Sequence, residues 1–362
     1  MSNWPEWLPL RAELRPLTPY GAPQVDATAR LNTNENPFGP SKELSAAISK
    51  RIGEVASSLN RYPDRDAKNL RGKIVDYLAK QCGARLEIES IWAANGSNEI
   101  LQSIFLAFGS GQALGFTPSY SMHPLIGRVT GVDWIDGHRD SEFKLDINAA
   151  KAQILKLKPA LTFVTTPNNP TGEAIKFEDL KILAATCIEV NGLLIVDEAY
   201  AEFSNEESAI NLIPEFPNVL VSRTMSKAFA FAGVRLGYLA ADKAVIDAIQ
   251  LVRLPYHLST ITQAAAEVAF EFQSELLAEV KNLISAREQL SDDLRALGLK
   301  VIPSDANFIL FGGFKQSSHE LWQKLLAAGV LIRDVGLEGW LRVTIGNGAE
   351  NELFLSSLKG AL

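Results

Sequence analysis

The sequence predicts an α/β protein: a large domain with a mostly parallel sheet covered by helices, followed by a smaller α+β domain. Three observations carry this. Between residues 90 and 240, short apolar runs alternate with longer amphipathic stretches, the rhythm of repeated strand–helix units. Most of those runs are nearly continuous in hydrophobicity, as strands covered on both faces are. At 362 residues the chain is also long for a single core.

The elements follow in order. The opening, rich in Pro and Asn up to PFGPS (37–41), is expected to be irregular and to form an arm across a partner. Strands are expected at SIWAA (90–94), ALGF (113–116), VDWI (132–135), LTFVTT (161–166), LLIV (193–196), VLVS (219–222) and RLGYLA (235–240). Helical patterns such as SNEILQSIFLAFG (97–109) and KFEDLKILAATCIEV (176–190) lie between them. From about residue 243 the pattern changes. One long helical stretch (261–297) leads into NFILFGG (307–313), a helix, VLIRDV (330–335) and LRVTIG (341–346), which reads as the smaller lobe.

Composition narrows the function. A net charge of −7 and a pI near 5.3 argue against general nucleic-acid binding and against a polybasic membrane surface. Anionic substrates would therefore need local arginines. The two cysteines, Cys82 and Cys187, have no metal-ligand spacing and no disulfide framework, so a reducing cytoplasm is expected. The first residues lack the basic-then-apolar order of a signal peptide, and no apolar run is long enough to span a bilayer.

The polar residues that stand out come just after strands. Asn168 and Asn169 follow LTFVTTP, Asp197 follows LLIV, and Lys227 follows VLVSRTMS. In open parallel sheets ligands bind beyond the carboxyl ends of the strands. Each residue has an ordinary reading: Asn169 as a turn former, Asp197 as a helix cap, Lys227 snorkelling to solvent. All three on one sheet edge make those readings improbable together. Pyridoxal phosphate needs this set, a lysine to bond its aldehyde and a carboxylate to keep its ring nitrogen protonated. Its phosphate has a candidate cradle in NGSNE (95–99), which opens a helix, with Arg235 as countercharge.

The chain resembles the fold-type I pyridoxal-phosphate aminotransferases, and within them the histidinol-phosphate branch. The resemblance runs through LNTNENPFGPS, RYPD, NGSNEIL, PSYSMH, TTPNNPTG, VDEAYAEF, SRTMSKAFAFAGVRLGY, VRLPYHLS and LRVTIG, in order and over nearly the whole chain. It implies that Lys227 forms the Schiff base and then moves the substrate proton. Asp197 would pair with the pyridinium nitrogen, Tyr200 and Asn169 with the phenolate oxygen, and Tyr120 would stack on the ring. Ser97, Asn98, Thr224, Ser226 and Arg235 would hold the phosphate, joined by Tyr62 of a neighbouring subunit in a homodimer with shared active sites. Arg342, Arg333, Tyr20 and Asn169 would bind substrate. The implied substrates are histidinol phosphate and the glutamate/2-oxoglutarate pair, and the implied layout is an N-terminal arm that also forms part of the small domain (1–36), a large cofactor-binding domain (37–245) and a small C-terminal domain (246–362). Asn98 stands where many relatives have aspartate, and Val234 where some close relatives have glycine.

Other chemistries lack their signatures. No G-x-x-x-x-G-K-[ST] run occurs, GSGQALG (109–115) ends a helix where a dinucleotide loop should begin one, and G-x-S-x-G is absent. No histidine pair has zinc spacing, so no metal is expected. His138 and His319 are expected at the surface. Two alternatives stay open: an aromatic amino-acid aminotransferase with the same mechanism, and a cofactor-free scaffold, which retention of Lys227, Asp197 and Arg235 disfavours.

Overall fold

A computed structural model of the chain describes residues 4–19 and 21–362. The N-terminal segment is mostly irregular up to residue 41, apart from a short 3-10 turn (Ala12–Leu14) and strand β1 (Ala29–Arg30). Helices α1 (Lys42–Ala56) and α2 (Lys68–Cys82) follow. Ser41 caps α1 by accepting from the Leu44 amide.

The large sheet has seven strands: β2 (Ile91–Ala94), β3 (Ala113–Thr117), β4 (Trp134–His138), β5 (Leu161–Thr165), β6 (Leu193–Asp197), β7 (Val219–Thr224) and β8 (Gly237–Ala240). Their order is β2-β8-β7-β6-β5-β3-β4, and only β8 runs against the others. Helices α3 (Ser97–Phe108), α4 (Met122–Thr130), α5 (Ile147–Leu157) and α6 (Phe177–Glu189) connect strands and cover the faces. Strands β5 and β7 are buried along their whole length, which explains why their apolar residues run on rather than alternate with exposed polar ones. The parallel arrangement brings the carboxyl ends of β2, β3, β5, β6 and β7 to one edge.

β4 begins two residues later than the VDWI run. Gly131 closes α4 in a left-handed turn, and the Val132 amide bonds back to Gly127, so pairing with β3 starts only at Trp134. Gly115 in β3 makes room for that tryptophan: a Cβ there would lie 2.3 Å from the Trp134 ring.

After α7 (Lys243–Val252), the expected long helix is two, α8 (Thr260–Glu271) and α9 (Gln273–Ala296). Phe272 breaks them. It leaves helical geometry (φ −98°, ψ 16°) and packs its ring against the core. Strands β9 (Lys300–Val301), β10 (Phe308–Gly312), β12 (Arg333–Asp334) and β13 (Trp340–Thr344) make a four-stranded antiparallel sheet with α10 (Ser318–Ala327) and α11 (Gly348–Ala361) against it. VLIRDV therefore serves two sheets. Its first half, β11 (Val330–Leu331), pairs in parallel with β1 and its second half is β12. Among the described residues, no helix is long and apolar enough to cross a membrane.

Candidate active site

A cavity of about 410 Å³ opens at the carboxyl edge of the large sheet, beneath β12 and β13. Period-two alternation sends Asp197 and Thr224 to this side and their neighbours Glu198 and Arg223 to the other.

One wall is an anion cradle. β2 ends at Ala94, and Gly96 turns the chain into α3 with φ +84°. A Cβ on Gly96 would sit 2.6 Å from Arg235 Nη2, so only glycine lets that guanidinium lie over the turn. The first amides of α3, at Ser97 and Asn98, have no intrahelical acceptors and carry the positive end of the helix dipole. Arg235 itself holds a left-handed φ of +61° after a 3-10 turn, and its Nη1 donates to Ala232 O at 3.1 Å. Thr224 and Ser226 complete the wall, their hydroxyls 3.0 Å apart.

The centre is Lys227. Its Nζ donates to Thr33 O at 2.9 Å. Burial pushes its pKa down from 10.5 to about 8; Arg342 and Arg235 push the same way, against Glu35. Across the cavity, Asp197 is 2% exposed. Its Oδ2 lies 3.1 Å from His123 Nε2, and its Oδ1 has no hydrogen-bond partner among the described residues. A buried carboxylate oxygen is costly to leave unmet. Tyr120 meets His123 edge-on at 5.4 Å, and its hydroxyl donates to Asn98 Oδ1 at 3.3 Å.

The other wall binds the two lobes together. Arg342 in β13 donates from Nη1 to Asn169 Oδ1 (2.5 Å) and from Nη2 to Asn32 O (2.6 Å), with Phe308 under its guanidinium at 5.2 Å. Arg333 is its direct cross-strand partner. Like charges placed opposite each other are unfavourable without an anion between them. Tyr200 OH accepts from Asn34 Nδ2 at 2.9 Å, and Asn34 Oδ1 accepts from Thr344 Oγ1 at 3.0 Å.

The cavity thus gathers Ser97, Asn98, Tyr120, Asn169, Asp197, Tyr200, Thr224, Ser226, Lys227, Arg235, Arg333 and Arg342. Tyr62 is elsewhere: 79% exposed and stacked on Tyr256 at 4.5 Å. Tyr20 lies outside the described residues. Asn168, next to Asn169, is fully buried and structural, donating to Pro118 O and Thr171 Oγ1. Sequence reasoning missed Asn34 and His123. Three asparagines within LNTNENP, and a histidine three residues after Tyr120, were the available signals. His138 and His319 are exposed as expected.

A larger cavity, about 530 Å³, opens around Arg223, Glu198 and Glu202. Arg223 already pairs there with Glu198 (2.7 Å) and Glu202 (3.3 Å), and no lysine lines it, so the smaller cavity is the candidate site. No cluster of His, Cys, Asp and Glu able to hold a metal ion occurs among the described residues.

Residues 28–358 match the profile of "Aminotransferase class I and II". The chain belongs to this aminotransferase family. It is a transaminase that works with pyridoxal 5′-phosphate. Among its relatives, a histidinol-phosphate aminotransferase of Mycolicibacterium smegmatis is 54% identical over 354 residues, covering 97% of this chain and 92% of the relative. One from Nocardia farcinica is 54% identical over 352 residues, covering 96% and 90%. The fold also matches the crystal structure of the histidinol-phosphate aminotransferase of Sinorhizobium meliloti in complex with pyridoxal-5′-phosphate. That match has a TM-score of 0.81 at 24% identity, covering 93% of this chain and 91% of that one.

Proposed function

We propose that this transaminase moves the amino group of histidinol phosphate to 2-oxoglutarate, giving imidazole acetol phosphate and glutamate in histidine biosynthesis. The observation that carries the substrate is full-length identity above 50% to enzymes bearing that name. The paired guanidiniums of Arg333 and Arg342 support it, because fork-shaped cations take either a phosphate monoester or a carboxylate.

The residues suit the cofactor. Lys227 would hold it covalently, and the unmet Oδ1 of Asp197 would accept from its protonated ring nitrogen. The first turn of α3, Thr224, Ser226 and Arg235 would hold its phosphate, Tyr120 its ring face, and Asn169 and Tyr200 its phenolate oxygen. When bound, pyridoxal phosphate supplies an electron-withdrawing ring that stabilises negative charge at the substrate's reacting carbon. The chain's own work is to bind, orient and move the proton. With its pKa lowered to about 8, Lys227 gives up its proton far more readily than a solvated lysine, which a base needs. His123 keeps Asp197 fixed, and Arg342, tied to Asn169 and Asn32 O, sets where the substrate's anionic end lies.

We further read the enzyme as a cytoplasmic homodimer. Supporting this, Tyr62 is exposed and stacks on Tyr256, and Leu251 and Leu254, a few residues before Tyr256, are 85% and 74% exposed. Tyr62 then reaches the phosphate of the neighbouring subunit. On this reading residues 37–245 are the cofactor-binding lobe and 246–362 the small lobe, with 1–36 the arm and part of the small lobe, which the pairing of β1 with β11 supports. Two free cysteines suit a reducing compartment. Comparing kcat/KM for histidinol phosphate and phenylalanine, each with 2-oxoglutarate, tests the substrate. Histidinol phosphate should win clearly; a preference for phenylalanine would make this an aromatic amino-acid aminotransferase.

A further inference from the structure

His257 lies outside the cavity, yet its contacts converge on the turn that cradles the anion. Its Nε2 lies 2.9 Å from the carbonyl oxygen of Ala93 in β2, the edge strand that leads into Gly96. A carbonyl can only accept, so Nε2 carries the proton and donates. The backbone carbonyl of His257 in turn accepts from Asn95 Nδ2 at 3.0 Å. Residue 257 therefore grips positions 93 and 95, just before the turn at Gly96. Asn95 is held from the other side by Glu99 in α3, whose Oε2 accepts from the Asn95 backbone (2.5 Å) and side chain (2.9 Å).

The grip comes at a cost: His257 Nδ1 is buried with no partner among the described residues. The segment carrying it is anchored in its own right. Gln263 Nε2 bonds Leu258 O (2.9 Å) and Asp64 O (3.0 Å), and Arg253 bonds Arg65 O (2.7 Å) and Asp66 (2.9 Å). Tyr256, in a left-handed conformation (φ +57°), stacks on Tyr62.

We propose that His257 is a positioning residue for the phosphate cradle, holding the end of β2 so that the Ser97 and Asn98 amides are aimed before the cofactor arrives. This rests on the reading of that cradle as the cofactor's phosphate site. The selective prediction is that losing the imidazole weakens binding of pyridoxal phosphate but not of pyridoxal, which has no phosphate.

The test is spectroscopic titration of cofactor-free wild type, His257→Leu and His257→Gln with each compound. His257→Leu should raise the Kd for pyridoxal phosphate about tenfold, the worth of a buried hydrogen bond whose acceptor is left unmet, and leave pyridoxal within about twofold. His257→Gln, which restores an N–H donor of similar reach, should recover most of the loss. If His257→Leu does not fold, His257→Asn makes the same comparison, its amide being too short for Ala93. Equal weakening of both compounds, or unchanged affinity for pyridoxal phosphate, overturns the inference. Wild type that binds neither compound overturns the cofactor reading beneath it.

Discussion

The lysine proposed to hold the cofactor should also destabilise the protein. Lys227 sits at about 8 where a solvated lysine sits at 10.5. That gap of about 2.5 pH units corresponds to about 3 kcal/mol at roughly 1.4 kcal/mol per unit. A lysine whose pKa is lower folded than unfolded costs stability in full below about pH 8. The cost fades as pH rises from 8 towards 10.5, because the folded form has already released the proton that the unfolded form still holds. Lys227→Met keeps the volume, removes the charge and forfeits the 2.9 Å bond to Thr33 O, worth about 1 kcal/mol. Cofactor-free Lys227→Met should therefore be about 2 kcal/mol more stable than cofactor-free wild type at pH 7. The gain should vanish or reverse by pH 10.5. Urea midpoints measured across that range read it directly. Equal stability at pH 7, or a gain that grows with pH, would refute the claim that desolvation prepares this amine.

Two further substitutions probe the walls. Gly96→Ala places a methyl where Arg235 Nη2 lies and forces alanine to φ +84°, so it should cost about 1–2 kcal/mol of stability and weaken pyridoxal-phosphate binding; tight binding with Arg235 in place would mean the cradle is elsewhere. Arg342→Ala should raise KM for histidinol phosphate and for 2-oxoglutarate together, by about tenfold or more. Steady-state kinetics with both substrates checks this, and an unchanged KM for either would remove Arg342 from the anion site.

Much of this was legible in the sequence because the informative residues are local to strand ends. LLIV followed by Asp, and VLVS followed five residues on by Lys, place both groups on the same edge once the strands are parallel. What was not legible depends on long-range placement. Asn34 reaches Tyr200 and Thr344 only because β1 pairs with β11 and draws the N-terminal segment across the cavity. His123 looked like one more histidine until Asp197, 74 positions away, met it. Asn168 and Asn169 are indistinguishable in composition, yet one is locked inside by Ser119 and Thr171 and the other faces Arg342. The break at Phe272 is likewise invisible to periodicity, since the apolar spacing continues across it.

The most direct test of the chemistry is where the cofactor is attached. Borohydride reduction of the yellow holoenzyme, followed by peptide mass spectrometry, should find one pyridoxyl-phosphate adduct per chain, on Lys227. An adduct on another lysine, or a colourless protein that stays unlabelled after incubation with the vitamin, would contradict the assignment of this cavity as the catalytic one.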